Sequence, residues 1–338
     1  MLPELVIRPD AIRENAEAVR ALLARPRLLG KRSEAPRLIG VTKACLGDPT
    51  VAKAMLEGGA VALADTREPS LARLRAALPG VELHRIHLTA GVAQREWADV
   101  FYVSSSAGLQ GFDGPGGPAN VMILVETGDQ REGTPVEKLH DLAREVAAGP
   151  GTRFRGIATN FACFAGRPEH VQASVEMLAA AARGLEEGGM AVPELSGGNS
   201  SLLGLGMDGI ALPLEVTEIR CGEALLLGQE TLRFRALPGG RQDGCRLRVE
   251  VLERYTKAFS EAGHQRLVLG LGSQDLGNAP VRFLRPEISE VGRSSDYLVA
   301  EVAGGGQAPE IGAAVEMIPS YYALVAAWTS PFVEVRFE

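Results

Sequence analysis

The sequence of 338 residues predicts a (β/α)8 barrel followed by a mostly-β domain. Two observations carry this. From Leu38 to Ile219, short apolar runs alternate eight times with segments of helical periodicity, as in parallel strands joined by crossover helices. After about Gln229 the strand-like runs continue, but no long helix separates them. Residues 1–229 are therefore assigned to the barrel and 230–338 to the β domain. The alternative for the first part is an open, doubly wound sheet. No GxGxxG follows the first strand, which disfavours a dinucleotide site.

In chain order, Glu4 to Arg8 reads as a brief strand. Asp10 is placed to cap a helix whose Ile12, Ala16, Val19 and Leu23 share one face. A polar linker with Pro26 and Pro36 leads to Leu38–Lys43, a buried strand bounded by Gly47-Asp48-Pro49. Pro49 suits the first turn of the next helix. Ala60–Ala64 is strand and Glu68–Ala77 helix. Glu82–Leu88, Val100–Ser104 and Asn120–Glu126 are strands. Thr134-Pro135-Val136-Glu137 has the form of a capping box, opening a helix that buries Leu139, Leu142 and Val146. Phe154–Phe161 is a strand, and Pro168 opens a long helix with Val171, Val175, Leu178, Ala182 and Leu185 on one stripe. Leu195 ends a short strand, and Val216–Ile219 is the eighth of the barrel. Arg246–Leu252, Arg266–Leu271, Asp296–Val302 and Phe332–Phe337 are strands of the second domain. The run Met317–Val333, interrupted by Pro319 and Pro331, reads as strands and a turn rather than a membrane span.

The net charge of -7 argues against nucleic acid as the main partner. The four cysteines, Cys45, Cys163, Cys221 and Cys245, form no CxxC pair. With no charged-then-apolar start at Met1-Leu2-Pro3-Glu4, the expectation is a soluble protein of a reducing cytoplasm. No metal is expected. His84 and His87 would face opposite sides of a strand, His140 and His170 fall on helices, and His264 in a loop.

Lys43 closes the first barrel strand, at the carboxyl end where β/α barrels carry their chemistry. Two polar, glycine-bearing turns follow strands seven and eight: Ser196-Gly197-Gly198-Asn199-Ser200-Ser201 and Arg220-Cys221-Gly222-Glu223. Loops at these places often hold a phosphate, because glycine lets backbone N–H groups approach an anion and a serine hydroxyl adds a donor. A lysine opposite such a cradle suggests pyridoxal 5'-phosphate held as a Schiff base.

These segments, with Gly128-Asp129-Gln130-Arg131-Glu132-Gly133, Thr159-Asn160-Phe161-Ala162-Cys163-Phe164, Gly228-Gln229-Glu230-Thr231 and Thr329-Ser330-Pro331-Phe332-Val333, stand in one order across nearly the whole chain. In that order the chain resembles the pyridoxal-phosphate amino-acid racemases of the alanine racemase fold (fold type III), and within them the ornithine racemase group. The resemblance implies a racemase acting on a free amino acid, ornithine or another chain with a distal amine, and a homodimer with shared active sites. It makes Lys43 the Schiff-base lysine and one catalytic base, and sets Arg131 near the cofactor's phenolic oxygen and the substrate carboxylate. It puts Asn199 and Ser200 at the phosphate, Ser200 directly, with the backbone N–H groups of Gly222 and Glu223. Arg220 faces the pyridine nitrogen, Asn160 stands where alanine racemases have histidine, and Asp296 falls near the partner subunit's site.

The chain departs from alanine racemases in two places. Ser273 occupies the position of the tyrosine that serves as second base, and neutral serine is a poor base. Tyr255, Tyr297, Tyr321, Tyr322 and Cys163 are the other candidates. Ala44-Cys45-Leu46-Gly47 also lacks the tyrosine that alanine racemases direct at the phosphate. A protein that carries pyridoxal phosphate without turnover, and a decarboxylase or aldolase on the same fold, are the rival readings. The long β domain disfavours the first and Arg220 the second.

Overall fold

The computed structural model describes residues 3–25, 34–86, 88, 95–113, 117–164, 167–255, 265–303 and 306–338. Pro26, His87 and His264, and the start Met1-Leu2, lie outside the described residues. The chain divides into two compact units, one of residues Ile12–Arg241 and one joining the chain up to Ala11 with Gln242–Glu338.

The larger unit is a closed parallel barrel of eight strands in sequential order: β2 (Arg37–Val41), β3 (Ala62–Asp65), β4 (Leu83–Arg85), β5 (Val100–Val103), β6 (Ala119–Leu124), β7 (Thr152–Ala158), β8 (Glu194–Ser196) and β9 (Glu218–Cys221). The β2–β9 pairing, with Ile39 opposite Arg220, closes the ring. Residues two apart share a strand face. Ile39 with Val41 and Ala62 with Ala64 form one buried cluster. Val100 with Tyr102, Met122 with Leu124, and Ala158 form another. Near the amino ends of the strands, Arg37 bonds Glu194 and Glu218 at 2.7 and 2.8 Å, and Arg155 bonds Glu194 and Glu82 at 2.6 and 2.8 Å.

Helices follow from local signals with two corrections. Asp48 caps helix Pro49–Glu57 by accepting from Thr50 N and Val51 N at 2.8 and 3.1 Å, and the helix buries Val51, Ala52, Ala54 and Met55. The capping box expected at Thr134 does not form. The helix runs Val136–Ala148 with Pro135 as its cap, and the Thr134 hydroxyl donates instead to Ser104 O at 2.9 Å. Thr134 is drawn out of the helix because its backbone pairs with Leu124 and Glu126. Asp10 is likewise not the cap of the first helix but sits in its first turn, since the helix already starts at Pro9. The long helix is Val171–Glu187, preceded by a 3-10 turn from Pro168.

The smaller unit is an eight-stranded sheet: β10 (Cys245–Tyr255), β11 (Gln265–Leu269), β12 (Val281–Phe283), β13 (Ile288–Arg293), β14 (Leu298–Val302) and β15 (Ala314–Pro319) in the order β12-β15-β10-β11-β14-β13, with β1 (Glu4–Ile7) added beside β10 and β16 (Glu334–Phe337) beside β1. Alternation drives it: Leu247, Val249 and Val251 are buried on β10 and Leu298, Ala300 and Val302 on β14. The first strand belongs here because Glu4–Ile7 pairs antiparallel with Cys245–Arg248 and parallel with β16. The division at 229/230 read from the sequence thus differs from the observed one at both ends. The stretch Met317–Val333 is also corrected: Tyr321–Thr329 is a helix that buries Ala323, Leu324 and Ala327. Among the described residues no helix is long and apolar enough to cross a membrane.

Candidate active site

The loops after the carboxyl ends of the barrel strands carry most of the residues singled out above. Lys43 follows β2 and is exposed. Just before it, the backbone of Thr42 continues the ladder to Ala64 at 2.9 Å, and its hydroxyl donates to Asp65 Oδ2 at 2.7 Å. Asp65 is fully buried, and its other oxygen accepts from Thr66 N and Arg67 N at 2.7 and 3.0 Å. Burial raises its pKa, while the Thr42 bond, the two backbone bonds and the Lys43 charge oppose the rise.

Arg220 is the most firmly held cation of the site. It is buried at the end of β9, donates through Nη2 to Thr159 O at 2.6 Å and Asn160 Oδ1 at 2.9 Å, and donates through Nη1 to the Ser196 hydroxyl. Its guanidinium lies 5.2 Å from the centroid of the Tyr102 ring. Tyr102 is held in turn by His84 Nδ1 at 3.1 Å, and His84 Nε2 by Glu82 at 3.0 Å. Arg220 pairs with neither Glu218 nor Glu223; Glu218 is engaged by Arg37. None of its bonds uses Nε, which leaves that donor for a further acceptor.

From Arg220 a polar chain runs outward. Asn160 Nδ2 donates to Glu132 Oε1 at 2.8 Å, and Glu132 accepts from Arg131 Nη2 at 2.6 Å and from Arg131 Nε. Burial acts to raise the Glu132 pKa, but the Arg131 bond and charge outweigh it and the net shift is downward. Arg131 is exposed and clasps its own neighbour.

The two glycine turns meet at Ser200. Its buried hydroxyl accepts from Ala224 N at 3.3 Å, in the short helix Glu223–Leu227 after β9. Asn199 braces the turn, donating to Phe161 O at 2.9 Å and to Cys163 Sγ at 3.2 Å while its Oδ1 accepts from Ser201 N at 3.0 Å. Gly198 has φ +122°, and a Cβ there would stand 2.5 Å from the Phe161 ring. Glu223 is buried, and burial pushes its carboxyl up to about 7 against hydrogen bonds from Gln229 and Thr231 and the charge of Lys43.

Ser273 and Asp296 belong to the sheet unit. They are near one another there: Ser273 N donates to Ser294 O at 2.9 Å, and Gln274 Nε2 to Asp296 Oδ1 at 3.1 Å. Asp296 is exposed. Sequence reading missed Tyr102, Ser196, Asp65 and Glu132 as members of the barrel site. Ser196 and Glu132 stood inside the quoted motifs, whereas nothing near Tyr102 or Asp65 in the chain marks them. Among the described residues no group of three or more His, Cys, Asp or Glu is placed to hold a metal ion.

The donor set fits pyridoxal 5'-phosphate. An exposed primary amine, a buried guanidinium with a spare Nε–H, and a serine hydroxyl between two glycine turns stand at the same end of one barrel.

A closed eight-stranded parallel barrel joined to an antiparallel sheet is the architecture of pyridoxal-phosphate proteins of fold type III. Residues 7–230 match the family described as alanine racemase, N-terminal domain, and the chain belongs to that pyridoxal-phosphate-dependent family. A lysine racemase from Thermotoga maritima is 26% identical across 99% of this chain and 98% of its own length. An ornithine racemase from Acetoanaerobium sticklandii is 27% identical across 64% of this chain and 66% of its own. Among solved structures, alanine racemase from Corynebacterium glutamicum superposes with TM-score 0.74 at 17% identity, covering 100% of this chain and 99% of that one. D-threonine aldolase from Filomicrobium marinum superposes with TM-score 0.76 at 16% identity, covering 99% and 93%. At such identities these two structures speak to the fold alone.

Proposed function

We propose that this protein is a pyridoxal-phosphate-dependent racemase that interconverts the L- and D-forms of a basic amino acid of the lysine or ornithine kind. The observation that carries the reading is Arg220, a buried guanidinium held by three neighbours at the mouth of the barrel that bears Lys43. The similarity to a lysine racemase along nearly the whole chain supports the substrate class.

Bound to the amino group of a substrate, pyridoxal phosphate draws electrons from Cα and makes its hydrogen removable. Lys43 would hold the cofactor, and its amine is the group placed to take a proton from Cα or return one. Arg131 receives the substrate carboxylate. Asn199 braces the turn after β8; Ser200 would donate to the phosphate there, and the backbone N–H groups of Gly222 and Glu223 would complete the cradle. Arg220 is a hydrogen-bond donor with no acceptor to offer. It would offer a hydrogen bond to a ring nitrogen beside it without handing over a proton. Asn160 fixes one edge of Arg220. Charge at Cα would then be stabilised less than beside an acid, which would favour brief proton removal and return over decarboxylation or aldol cleavage.

The active unit is proposed to be a cytoplasmic homodimer in which Asp296 and Ser273 of one subunit approach the barrel mouth of the other. Sedimentation showing only monomer at working concentration would count against it. The function itself is tested by chiral chromatography of single-enantiomer amino acids incubated with the holoenzyme. Both enantiomers should appear from lysine or ornithine; conversion of neither contradicts the reading.

A further inference from the structure

The loop after β6 carries two carboxylates, Asp129 and Glu132, to one guanidinium, Arg131. Glu132 is fully engaged by Arg131 and Asn160. Asp129 is not. Its Oδ1 accepts from Cys163 N and Phe164 N, each at 2.9 Å. Its Oδ2 is buried without a hydrogen-bond donor, and the residue as a whole is 1% exposed. Arg131 Nε stands 3.8 Å from that oxygen, outside hydrogen-bond range, and is turned to Glu132. A buried anionic oxygen left without a donor is costly and calls for one.

Gln130 and Ala162 take left-handed φ of 56° and 58°, uncommon for residues with a Cβ, on the two loops that Asp129 joins. Asp129 itself lies in the loop after β6, at the carboxyl end of the barrel strands, and it bonds the backbone of Cys163, whose Sγ accepts from Asn199 of the phosphate turn at 3.2 Å.

We propose that Asp129 is the specificity-determining residue for the substrate side chain, with Oδ2 accepting a hydrogen bond from the distal ammonium of a basic amino acid. This rests on the racemase reading above. An ammonium has three donors for an oxygen that has none. A chain of the same length without the amine leaves that oxygen unmet. Sites built to bind a polar group reject analogues that lack it more strongly than they reject a missing methylene.

The test compares L-lysine with L-norleucine, which is lysine without its amine, on the holoenzyme and on Asp129→Asn. Asparagine keeps an Oδ1 for Cys163 N and Phe164 N but places an NH2 where Oδ2 was. The ratio of kcat/KM for lysine over norleucine should fall roughly 10- to 100-fold, the loss of one charged hydrogen bond. The change should lie chiefly in KM. Titrating the cofactor's visible absorbance with each amino acid should show the same loss in the ratio of dissociation constants. An unchanged ratio, with lysine still racemised by the wild type, overturns the role of Asp129 and leaves the racemase reading standing. A wild type that racemises no basic amino acid overturns both. Should Asp129→Asn not fold, a crystal structure of the wild-type holoenzyme with L-lysine decides. An amine within hydrogen-bond reach of Oδ2 supports the assignment, and an amine elsewhere refutes it.

Discussion

Glu223 ties the cofactor cradle to pH, and Glu223→Gln isolates that link. The carboxyl is buried, which pushes its pKa up to about 7 against an ordinary 4.5. In the unfolded chain it ionises near the ordinary value. Below that pH both states are protonated and the group makes no difference. As pH rises toward 7 the unfolded chain releases its proton while the fold retains it, so stability falls with rising pH and the full penalty is present above 7. A displacement of this size corresponds to about 3 kcal/mol. Glutamine is neutral throughout and can keep the contacts with Gln229 and Thr231. Apoprotein Tm for wild type and variant should therefore agree near pH 4. At pH 8 the variant should melt higher by roughly 6 °C, taking about 2 °C per kcal/mol for a domain of this size. The same charge bears on the cofactor. If Gly222 and Glu223 hold the phosphate, ionised Glu223 repels it, and wild-type affinity for pyridoxal phosphate should decline above pH 7 more steeply than that of the variant. A Tm difference that is constant from pH 4 to 8, or that favours the wild type as pH rises, refutes the reasoning.

Two substitutions probe the rest of the cradle. Lys43→Ala removes an exposed side chain, so stability should change little, about 0.5 kcal/mol at most, while the visible cofactor absorbance disappears. Retention of that absorbance would mean another amine holds the cofactor. Ser200→Ala removes a donor to a dianion and should raise the dissociation constant for pyridoxal phosphate about tenfold or more; an unchanged constant would move the phosphate away from this turn.

Much of the barrel was legible because its chemistry is local. A parallel strand buried on both faces is a short apolar run, as Leu38–Val41 and Val121–Leu124 are, and Asp48-Pro49 announces a helix by itself. What could not be read depends on distant partners. Glu4–Ile7 looks like any short strand, and only its pairing with β10 and β16 assigns it to the sheet unit. Thr134 has the sequence of a helix cap, but a tertiary contact with Ser104 and the pairing to β6 outweigh the local preference. Tyr321–Thr329 hid as strand because aromatic and branched residues lie between two prolines. In the site, Lys43 and Arg220 were visible at strand ends. The Ser196 and Tyr102 contacts that hold Arg220 come from other strands, and the unmet oxygen of Asp129 depends on which donors the fold brings near it.

The central claim is that Cα of a basic amino acid exchanges its hydrogen in this barrel with inversion. Incubating the holoenzyme with L-lysine in deuterated water, then separating the enantiomers and weighing each by mass spectrometry, tests it most directly. The account predicts D-lysine carrying one deuterium at Cα, accumulating until the enantiomers are equal. D-lysine that keeps its original hydrogen throughout, or L-lysine consumed to a decarboxylated amine, would contradict it.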